Sequence, residues 1–298
     1  MISILIPTYN YDVTSLVTDL HFQASKEVEE FEIIVMEDGK TSLTHANGSI
    51  GKLSHCQHMI LEQNIGRSAI RNKLASTAKY DHLLFMDCDA QVCKPNYINT
   101  YLKFCKEECV VIGGTAYDPN ETNPDYSLRL KYGRKREAIS AIERESSRHI
   151  QNFATFNFLI SKSLFAQVQF DETIKGYGHE DTLFGHQLHE LKIRFIHIDN
   201  PLIHKGLDTN SIYLKKTEEA TINLLKLHQT GRYPFLQNES KLLQAYIKLN
   251  NMGLTNWISM LHTLLQKWIA TQLCSPHPSL QLYDLYKLMM LCKMSAIK

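Results

Sequence analysis

The first 115 residues alternate between short strand-like runs and longer segments of helical periodicity. Strands are predicted at residues 2–6, 31–36, 57–61, 82–86 and 110–113, and helices at residues 12–24, 67–78 and 95–106. This β-then-α order predicts a mostly parallel sheet covered by helices on both faces, with right-handed connections. The chain has 298 residues, 44% of them hydrophobic, which is enough to bury such a sheet in a core. We therefore expect an α/β fold.

The strand rhythm stops after residue 116, and a polar, highly charged stretch runs from 117 to 151. Strands are predicted again at 156–160, 194–198 and 202–204, with a helix at 179–191. From residue 212 the patterns are helical, at 212–228, 241–249, 254–273 and 280–294, with glycines and prolines between them. We place a boundary near 206–211, which gives an α/β domain at 1–206 and a C-terminal helical region at 207–298.

Composition and charge exclude several classes of protein. The formal net charge of +1 argues against a general nucleic-acid binder, which would carry a strongly basic surface. Seven cysteines, an odd number at irregular spacing, fit free thiols in a reducing compartment. The short apolar run before Pro7 has no basic segment in front of it, and no stretch reaches about 18 uninterrupted apolar residues. We expect a soluble, cytoplasmic protein and leave open a peripheral contact with the inner face of the membrane.

Two carboxylates follow the fourth predicted strand directly. The apolar run at 83–86 leads into Asp87-Cys88-Asp89, which brings both acids to the carboxyl edge of the sheet, where open α/β folds bind ligands. Repulsion between two such anions about 4 Å apart costs roughly 4 kcal/mol at an effective dielectric constant near 20. A divalent cation would relieve it, and magnesium or manganese is commonly held by one or two carboxylates plus substrate phosphates. The pattern predicts a metal and diphosphate site, and the alternative is a solvated turn.

Polar residues follow other strands and open one helix at the same predicted edge. Pro7-Thr8-Tyr9-Asn10 ends the first strand, and Glu37-Asp38-Gly39 ends the second. Gly66 precedes a helix on which Arg67 and Arg71 share one face, an arrangement that suits a phosphate or carboxylate. The alternatives are plain turns for the first two motifs and a solvated basic face for the arginines.

Taken in order, these motifs and a later Gly-Tyr-Gly-His-Glu-Asp at 176–181 resemble those of the family 2 glycosyltransferases of the GT-A fold. The resemblance spans residues 1 to about 205, and the last motif is most similar to that of polymer-type and N-acetylgalactosaminyl-type enzymes. It implies a Rossmann-like GT-A domain with a nucleotide-sugar-binding half at 1–115 and an acceptor half at 116–206. Glu37 replaces an aspartate that is common in the family, and His179 stands where glycine is frequent.

The resemblance also implies roles for individual residues. Asp38 is the expected contact to the nucleoside base, and His204 is an expected third metal ligand, for Mn²⁺ or Mg²⁺, after Asp87 and Asp89. The expected donor-binding residues are Pro7, Thr8, Tyr9, Asn10, Glu37, Asp38, Gly66, Arg67, Arg71, Asp87 and Cys88. The expected acceptor-binding residues are Gly176, Tyr177, Gly178, His179 and Glu180.

Asp181 and Glu180 are the expected catalytic residues. An inverting sugar transfer needs a carboxylate that takes the proton from the acceptor hydroxyl, and we assign this role to Asp181. Glu180 would orient a hydroxyl of the acceptor or donor. Both residues begin a predicted helix, whose positive end favours carboxylates. The alternative is a helix cap followed by acidic residues of the first turn.

These features predict a metal-dependent, inverting glycosyltransferase. The expected donor is a nucleoside-diphosphate sugar linked to UDP, and the expected acceptor is a glycan or a lipid-linked saccharide, as in polysaccharide biosynthesis. Two alternatives stay open, a sugar nucleotidyltransferase and a catalytically silent carbohydrate-binding protein on the same scaffold. A sugar nucleotidyltransferase is expected to have a glycine-rich loop after the first strand, whereas this chain has Pro-Thr-Tyr-Asn there.

Two further patterns allow more than one interpretation. The interval from Arg129 to Arg148 is basic, and we favour a solvated helix face over contact with a diphosphate, an anionic acceptor or lipid headgroups. Apolar residues from Trp257 to Trp268 recur at helical spacing. We favour a packed stripe for them and leave open a contact with a bilayer surface.

Overall fold

The computed structural model describes residues 1–146, 153–174 and 176–296. Its strands are β1 (Ile2–Thr8), β2 (Phe31–Glu37), β3 (Cys56–Ile60), β4 (His82–Met86), β5 (Ala90–Val92), β6 (Cys109–Ile112), β7 (Thr115–Ala116), β8 (Asn157–Ser161), β9 (Arg194–His197) and β10 (Leu202–His204). Its helices up to the end of β10 are α1 (Thr14–Glu27), α2 (Thr44–Asn47), α3 (Arg67–Thr77), α4 (Tyr97–Leu102), α5 (Ser127–Arg136), α6 (Ala141–Ser146), α7 (Lys162–Gln167) and α8 (Glu180–Glu190). The later helices are α9 (Asn210–Gln229), α10 (Leu236–Glu239), α11 (Lys241–Asn251), α12 (Thr255–Leu273) and α13 (Leu280–Ala296).

The central sheet has seven strands in the order β3-β2-β1-β4-β8-β6-β9. All neighbouring pairs are parallel except those of β8, which runs antiparallel to both β4 and β6. The predicted mostly parallel α/β sheet is therefore confirmed. A second sheet has the order β5-β10-β7; its strand β10 was predicted, whereas β5 and β7, of three and two residues, were not.

Both faces of the central sheet are buried, which explains why its strands read as continuous apolar runs. Successive residues of a strand point to opposite faces, so Ile4 and Leu84 enter one core cluster while Leu5 and Phe85 enter the other. Helices α1 and α4 cover the first face, and α3, α7 and α8 cover the second. The carboxyl ends of β1, β2 and β4 thus share one edge of a rigid layer.

The described residues divide into two compact units. The first comprises residues 1–118, 137–174 and 180–206, and the second comprises 119–136, 176–179 and 207–296. Two short segments that we had assigned to the first domain therefore belong to the second unit. Helix α5 does so because Leu128 is fully buried in a helical core with Ile269, Tyr283 and Met289. The division of function between the predicted domains stays a prediction.

Most of the basic interval forms the solvated face that we favoured, since Lys131, Arg134, Lys135 and Arg136 are exposed, but Arg144 does not belong to it. Arg144 is buried and donates to the carbonyl oxygens of Ile112 and Ile198 at 3.1 and 2.8 Å. In the second unit, Arg136 makes a two-pronged ion pair with Asp284 at 2.9 and 2.6 Å. These guanidinium groups stabilise the fold itself, and Arg148 lies outside the described residues.

The stripe from Trp257 to Trp268 is not packed inside the chain, which is the opposite of the interpretation we favoured. Both tryptophans are largely exposed, by 70% and 62%, while His262, Ile269 and Leu273 of the same helix face inward. Among the described residues, no helix combines the length and apolarity that crossing a membrane requires. All seven cysteines are free thiols.

Candidate active site

An ion-pair network joins the end of β4 to the start of α8. Arg71 Nη2 lies 2.5 Å from Asp87 Oδ1, and the arginine side chain is only 3% exposed. Arg67, one turn earlier on α3, approaches Asp87 Oδ2 at 3.9 Å and donates through Nε to Glu180 Oε1 at 2.8 Å. The predicted pair of arginines therefore meets a strand-end carboxylate and the acidic first turn of α8 in one place.

Asp89 and His204 come together through the small sheet. Strands β5 and β10 pair antiparallel with His204 opposite Ala90, and the Lys205 amide donates to the Asp89 carbonyl at 2.7 Å. This register puts His204 Nε2 3.1 Å from Asp89 Oδ2. A Cβ atom at Gly206 would lie 2.5 Å from the same oxygen, so only glycine fits there. Burial raises the pKa of Asp89, but the hydrogen bond and charge of His204 outweigh it and hold that pKa below its usual value.

The three predicted metal ligands are not assembled as one group. Within the described residues, no cluster of three or more His, Cys, Asp or Glu side chains is arranged to hold a metal ion. The reason is that the arginines of α3 engage Asp87, whereas Asp89 and His204 pair with each other. Two buried atoms of that pair, Asp89 Oδ1 and His204 Nδ1, have no hydrogen-bond partner. A carboxylate oxygen and an imidazole nitrogen left in this state fit the ligand preferences of a divalent cation.

The residues after β1 line the same edge. Thr8 is buried, and its hydroxyl has no hydrogen-bond partner, whereas Tyr9 is 59% exposed. Asn10 adopts a left-handed backbone with φ of 48° and accepts a hydrogen bond from Ser42 at 3.1 Å. Pro7 is partly buried within β1. The donor contacts predicted for these four residues stay predictions.

Glu37, a predicted donor-binding residue, is held by three side chains of the first unit. Its side chain is fully buried, and its carboxylate contacts Asn47 Nδ2 at 2.6 Å, Thr44 Oγ1 at 3.2 Å and His58 Nε2 at 3.3 Å. The longer side chain of glutamate, together with strand alternation, turns this carboxylate inward beneath the loop after β2. These contacts hold the loop after β2, and the donor contact predicted for Glu37 stays a prediction.

Asp38 organises the start of α3. Its two oxygens accept hydrogen bonds from the backbone amides of Ile65 and Gly66 at 2.6 and 3.0 Å. Gly66 precedes the first residue of α3 with φ of 90°, a conformation that L side chains rarely adopt. Asp38 thereby fixes the loop that presents Arg67 and Arg71, and its predicted contact to a base stays a prediction.

Cys88 and Tyr11 complete the surroundings of Asp89. Burial, with the neighbouring charges of Asp89 and Asp87, raises the pKa of Cys88 to about 12, so this residue is a neutral thiol. Burial, then the charge of Asp89, also raises the pKa of Tyr11. Sequence reasoning missed Tyr11, although its position directly after the Pro-Thr-Tyr-Asn motif was a signal.

Asp181 is a partly buried carboxylate in the first turn of α8. Burial is the main cause that raises its pKa to about 6, and the adjacent Glu180 raises it further. The Thr182 amide, at 2.7 Å from Oδ1, and the charges of Arg67 and Arg71 act in the opposite direction. A carboxylate with such a pKa can accept a proton near neutral pH and is therefore suited to general-base chemistry.

The loop at 176–179 is built on α9, within the second unit. The Tyr177 amide donates to Glu219 Oε1 at 3.1 Å, and the Tyr177 carbonyl accepts from Asn223 Nδ2 at 3.0 Å. A Cβ atom at Gly176 would lie 2.2 Å from Glu219 Oε1, and one at Gly178 would lie 2.9 Å from the Ala220 side chain. Both glycines also have left-handed backbones, with φ of 83° and 96°, so backbone conformation and the close approach of a helix together favour glycine here.

His179 occupies the position where related motifs frequently have glycine. Its φ of 76° is the left-handed conformation that glycine adopts without strain. The ring Nε2 lies 3.0 Å from the Ala220 carbonyl oxygen, a contact that helps to hold the histidine in this conformation. The contacts of this loop to an acceptor stay predictions.

Comparison with known proteins agrees with these observations. The model of the family described as Glycosyl transferase family 2 matches residues 3–169. EpsH of Bacillus subtilis (strain 168), a glycosyltransferase by name, is 24% identical over 249 residues, which are 81% of this chain and 70% of EpsH.

Solved structures are similar over almost the whole chain. The mannosyltransferase PcManGT from Pyrobaculum calidifontis, in complex with GDP-Man and Mn²⁺, has a TM-score of 0.60 at 12% identity and covers 99% of this chain and 86% of its own. TarS 1-349 of S. aureus, in complex with UDP-GlcNAc, has a TM-score of 0.50 at 15% identity and covers 99% and 91%. At these identities the likeness establishes a shared fold, and it confirms the fold that the motifs predict.

Proposed function

Since the chain belongs to glycosyl transferase family 2 and has the GT-A fold, we propose that it transfers a sugar, with inversion, from a UDP-linked donor to a hydroxyl group of a glycan or lipid-linked saccharide. Membership of this family argues against the alternative of a sugar nucleotidyltransferase. Neighbours of the same fold that bind GDP-Man with Mn²⁺, or UDP-GlcNAc, support a nucleotide-sugar donor and a divalent metal.

One observation carries the proposal: Arg67 connects the carboxylate at the end of β4 with the acidic start of α8. Its guanidinium group spans Asp87 and Glu180, and Asp181 follows directly on the same helix. A strand-end carboxylate, two arginines and a proton acceptor therefore share one site. This combination suits a reaction in which a diphosphate leaves and a hydroxyl group attacks.

In the proposed reaction, Asp181 accepts the proton of the acceptor hydroxyl as its oxygen attacks the anomeric carbon. The bond from that carbon to the donor phosphate breaks on the opposite side, and the electron pair leaves with the diphosphate. Arg71 and Arg67 supply positive charge near the end of β4, where the donor is expected. Glu180, held by Arg67, orients a sugar hydroxyl group.

Asp89 and His204 are the residues that would hold Mn²⁺ or Mg²⁺. Their unpartnered buried atoms support this assignment, and the donor phosphates would complete the ligand set. Such a cation supplies Lewis-acid neutralisation of the departing diphosphate. We propose that Asp87 reaches the donor only as the arginine contacts rearrange, because Arg71 neutralises it in this structure.

A panel of UDP-, GDP- and dTDP-sugars tests the donor, with manganese-dependent binding and slow donor hydrolysis as readouts. We expect Asp89→Ala to weaken metal-dependent donor binding by about 100-fold. We expect Asp181→Asn to keep donor affinity and to lower kcat for transfer by about 1000-fold.

Asp81→Ala is the matched control, since Asp81 is exposed just before β4, at its opposite end. This variant should bind donor and transfer sugar like the wild type. Equal loss of donor affinity in the Asp89 and Asp181 variants would contradict the separate roles. A wild-type protein that binds sugars but hydrolyses or transfers from no donor would indicate a catalytically silent scaffold.

A further inference from the structure

Six large apolar side chains form one exposed stripe along α12, which we call the tryptophan face. Its members are Trp257, Met260, Leu261, Leu264, Leu265 and Trp268, with exposed fractions of 36% to 77%. Their spacing of three and four residues puts them on one side of the helix over a length of about 16 Å. A soluble protein rarely exposes such a continuous apolar surface unless a partner covers it.

The charges around the tryptophan face indicate the chemistry of that partner. From residue 240 to residue 283 the sequence contains no aspartate or glutamate, although it contains Lys241, Lys248 and Lys267. All three lysines are exposed in the structure. The segment that carries this stripe is therefore apolar and cationic, and the carboxylates that flank it in the sequence are Glu239 and Asp284.

The types of apolar residue in the tryptophan face also indicate contact with a lipid surface. Tryptophan is enriched where proteins meet the headgroup region of a bilayer, because the indole ring is apolar and its N–H group is polar. An amphipathic helix with aromatic and leucine side chains on one face and lysines beside it lies in the plane of such an interface. Helix α12 has 19 residues, and His262 is on its buried side. Because the tryptophan face is exposed, α12 can lie on a membrane with that face towards the lipid.

A second copy of the chain is the competing occupant, and the charges disfavour it. The stripe has a coiled-coil-like spacing, but such helices usually add opposite charges beside the seam. Pairing two copies through this face would bring the helix that carries Lys267 against its copy, with no carboxylate of the same helix to offset that charge. An anionic lipid surface instead supplies the complementary charge.

We propose that the tryptophan face docks the protein on an anionic lipid surface, with α12 lying in the headgroup layer. This inference concerns a surface apart from the catalytic residues and does not depend on the sugar-transfer proposal. The chain has only two tryptophans, and both are on this face, so their fluorescence reports directly on its surroundings.

The test is a titration of the full chain with vesicles of phosphatidylglycerol and phosphatidylcholine, or of phosphatidylcholine alone. We expect a blue shift of tryptophan emission and co-sedimentation with the anionic vesicles only, both weakened by added salt. The double variant Leu261→Ser/Leu264→Ser keeps both reporters and should bind these vesicles about tenfold more weakly.

Phe22→Ser/Ile142→Ser is the matched control, because these residues are 59% and 77% exposed but lie outside the tryptophan face. It should bind vesicles like the wild type. Absence of an emission shift with anionic vesicles, or an equal shift with both lipids, would overturn the proposal. So would a dimer in sedimentation equilibrium that the leucine variant abolishes while vesicles have no effect. Donor hydrolysis in solution, followed in parallel, separates failure of this proposal from failure of the proposed function.

Discussion

Asp181 owes its chemical character to neighbours that act in opposite directions. Burial and the adjacent Glu180 favour its neutral form, whereas Arg67 and Arg71 favour its charged form. The outcome is a carboxyl group with a pKa of about 6, above its usual value of 3.8. A group balanced in this way takes up a proton more readily than an exposed aspartate, yet it stays ionised in most molecules at neutral pH.

The pH dependence of transfer follows from this raised pKa. Because a general base works only when it is deprotonated, kcat should rise with pH, with an apparent pKa of about 6, and level off above it. A pH–rate profile at saturating donor and acceptor checks this. A profile that is flat between about pH 5 and 7 would contradict the role of Asp181.

The pH dependence of folding stability is an independent test of the raised pKa of Asp181. The folded carboxyl binds its proton more tightly than the unfolded one, so this group makes stability fall as pH rises from about 4 to about 6. The Asp181→Asn variant lacks this loss and should be more stable than the wild type at neutral pH by on the order of 1 kcal/mol. Urea unfolding at several pH values measures the difference.

Among the secondary-structure elements, α9 shows how a helix can shape a loop that is distant in sequence. Glu219 and Asn223 lie one turn apart and bind the amide and the carbonyl of Tyr177. The Ala220 side chain of the same helix also approaches Gly178 so closely that a Cβ atom there would lie 2.9 Å from it. The conformation of the expected acceptor loop is thus imposed by a helix that begins only at Asn210, far later in the chain.

Removing these contacts should affect acceptor binding selectively. We expect Glu219→Ala to raise the KM for acceptor by about five- to tenfold, because the loop loses a charge-assisted hydrogen bond. Donor affinity and donor hydrolysis should not change. Steady-state kinetics with each substrate varied in turn provide the measurement.

Two variants make this prediction specific. Glu219→Gln keeps an oxygen that can accept from the Tyr177 amide, so it should restore most of the acceptor affinity. Lys215→Ala changes an exposed residue of the same helix and should behave like the wild type. An unchanged acceptor KM in Glu219→Ala would rule out a positioning role for this residue.

At the scale of the whole molecule, the described residues form two compact units, each with its own apolar core. In the first unit, a single buried amide ties several elements to the sheet. Asn157, at the start of β8, accepts hydrogen bonds from Tyr97 and Tyr101 of α4, both at 2.6 Å. Its amide group donates to the carbonyls of Gly114 and Asn200 at 3.1 and 2.9 Å. Four contacts from one side chain that is 1% exposed fix the region between β6 and β10.

Loss of this amide should destabilise the first unit strongly. We expect Asn157→Leu to lower the free energy of unfolding by about 3 kcal/mol or more, since the hydroxyls of Tyr97 and Tyr101 and the carbonyls of Gly114 and Asn200 would each lose a buried hydrogen bond. Tyr97→Phe removes one of these groups together with its contact and should cost only about 1 kcal/mol. Urea denaturation measures both, and an equal effect of the two substitutions would contradict the hub role of Asn157.

Local patterns carried much of the fold and part of the site. Apolar runs at residues 2–6, 31–36 and 82–86 predicted β1, β2 and β4, because strands buried on both faces need uninterrupted hydrophobic residues. The polar residues directly after these runs could be assigned to one sheet edge, since parallel strands end on the same side. The ordered motifs also predicted the family, which the comparisons confirm.

Contacts between residues far apart in sequence could not be read in the same way. In the structure, the Glu37 carboxylate points inward to Asn47, and Asp38 accepts hydrogen bonds from the Ile65 and Gly66 amides. Asp87 pairs with Arg71, whereas Asp89 pairs with His204. The tryptophan face on α12 is also exposed.

The amino-acid sequence by itself determined which elements form and which chemical groups stand at their ends, because hydrophobic periodicity and turn chemistry are local. Only the tertiary structure decided which of those groups meet and which faces stay uncovered, because register, packing and competition among neighbours are properties of the folded chain.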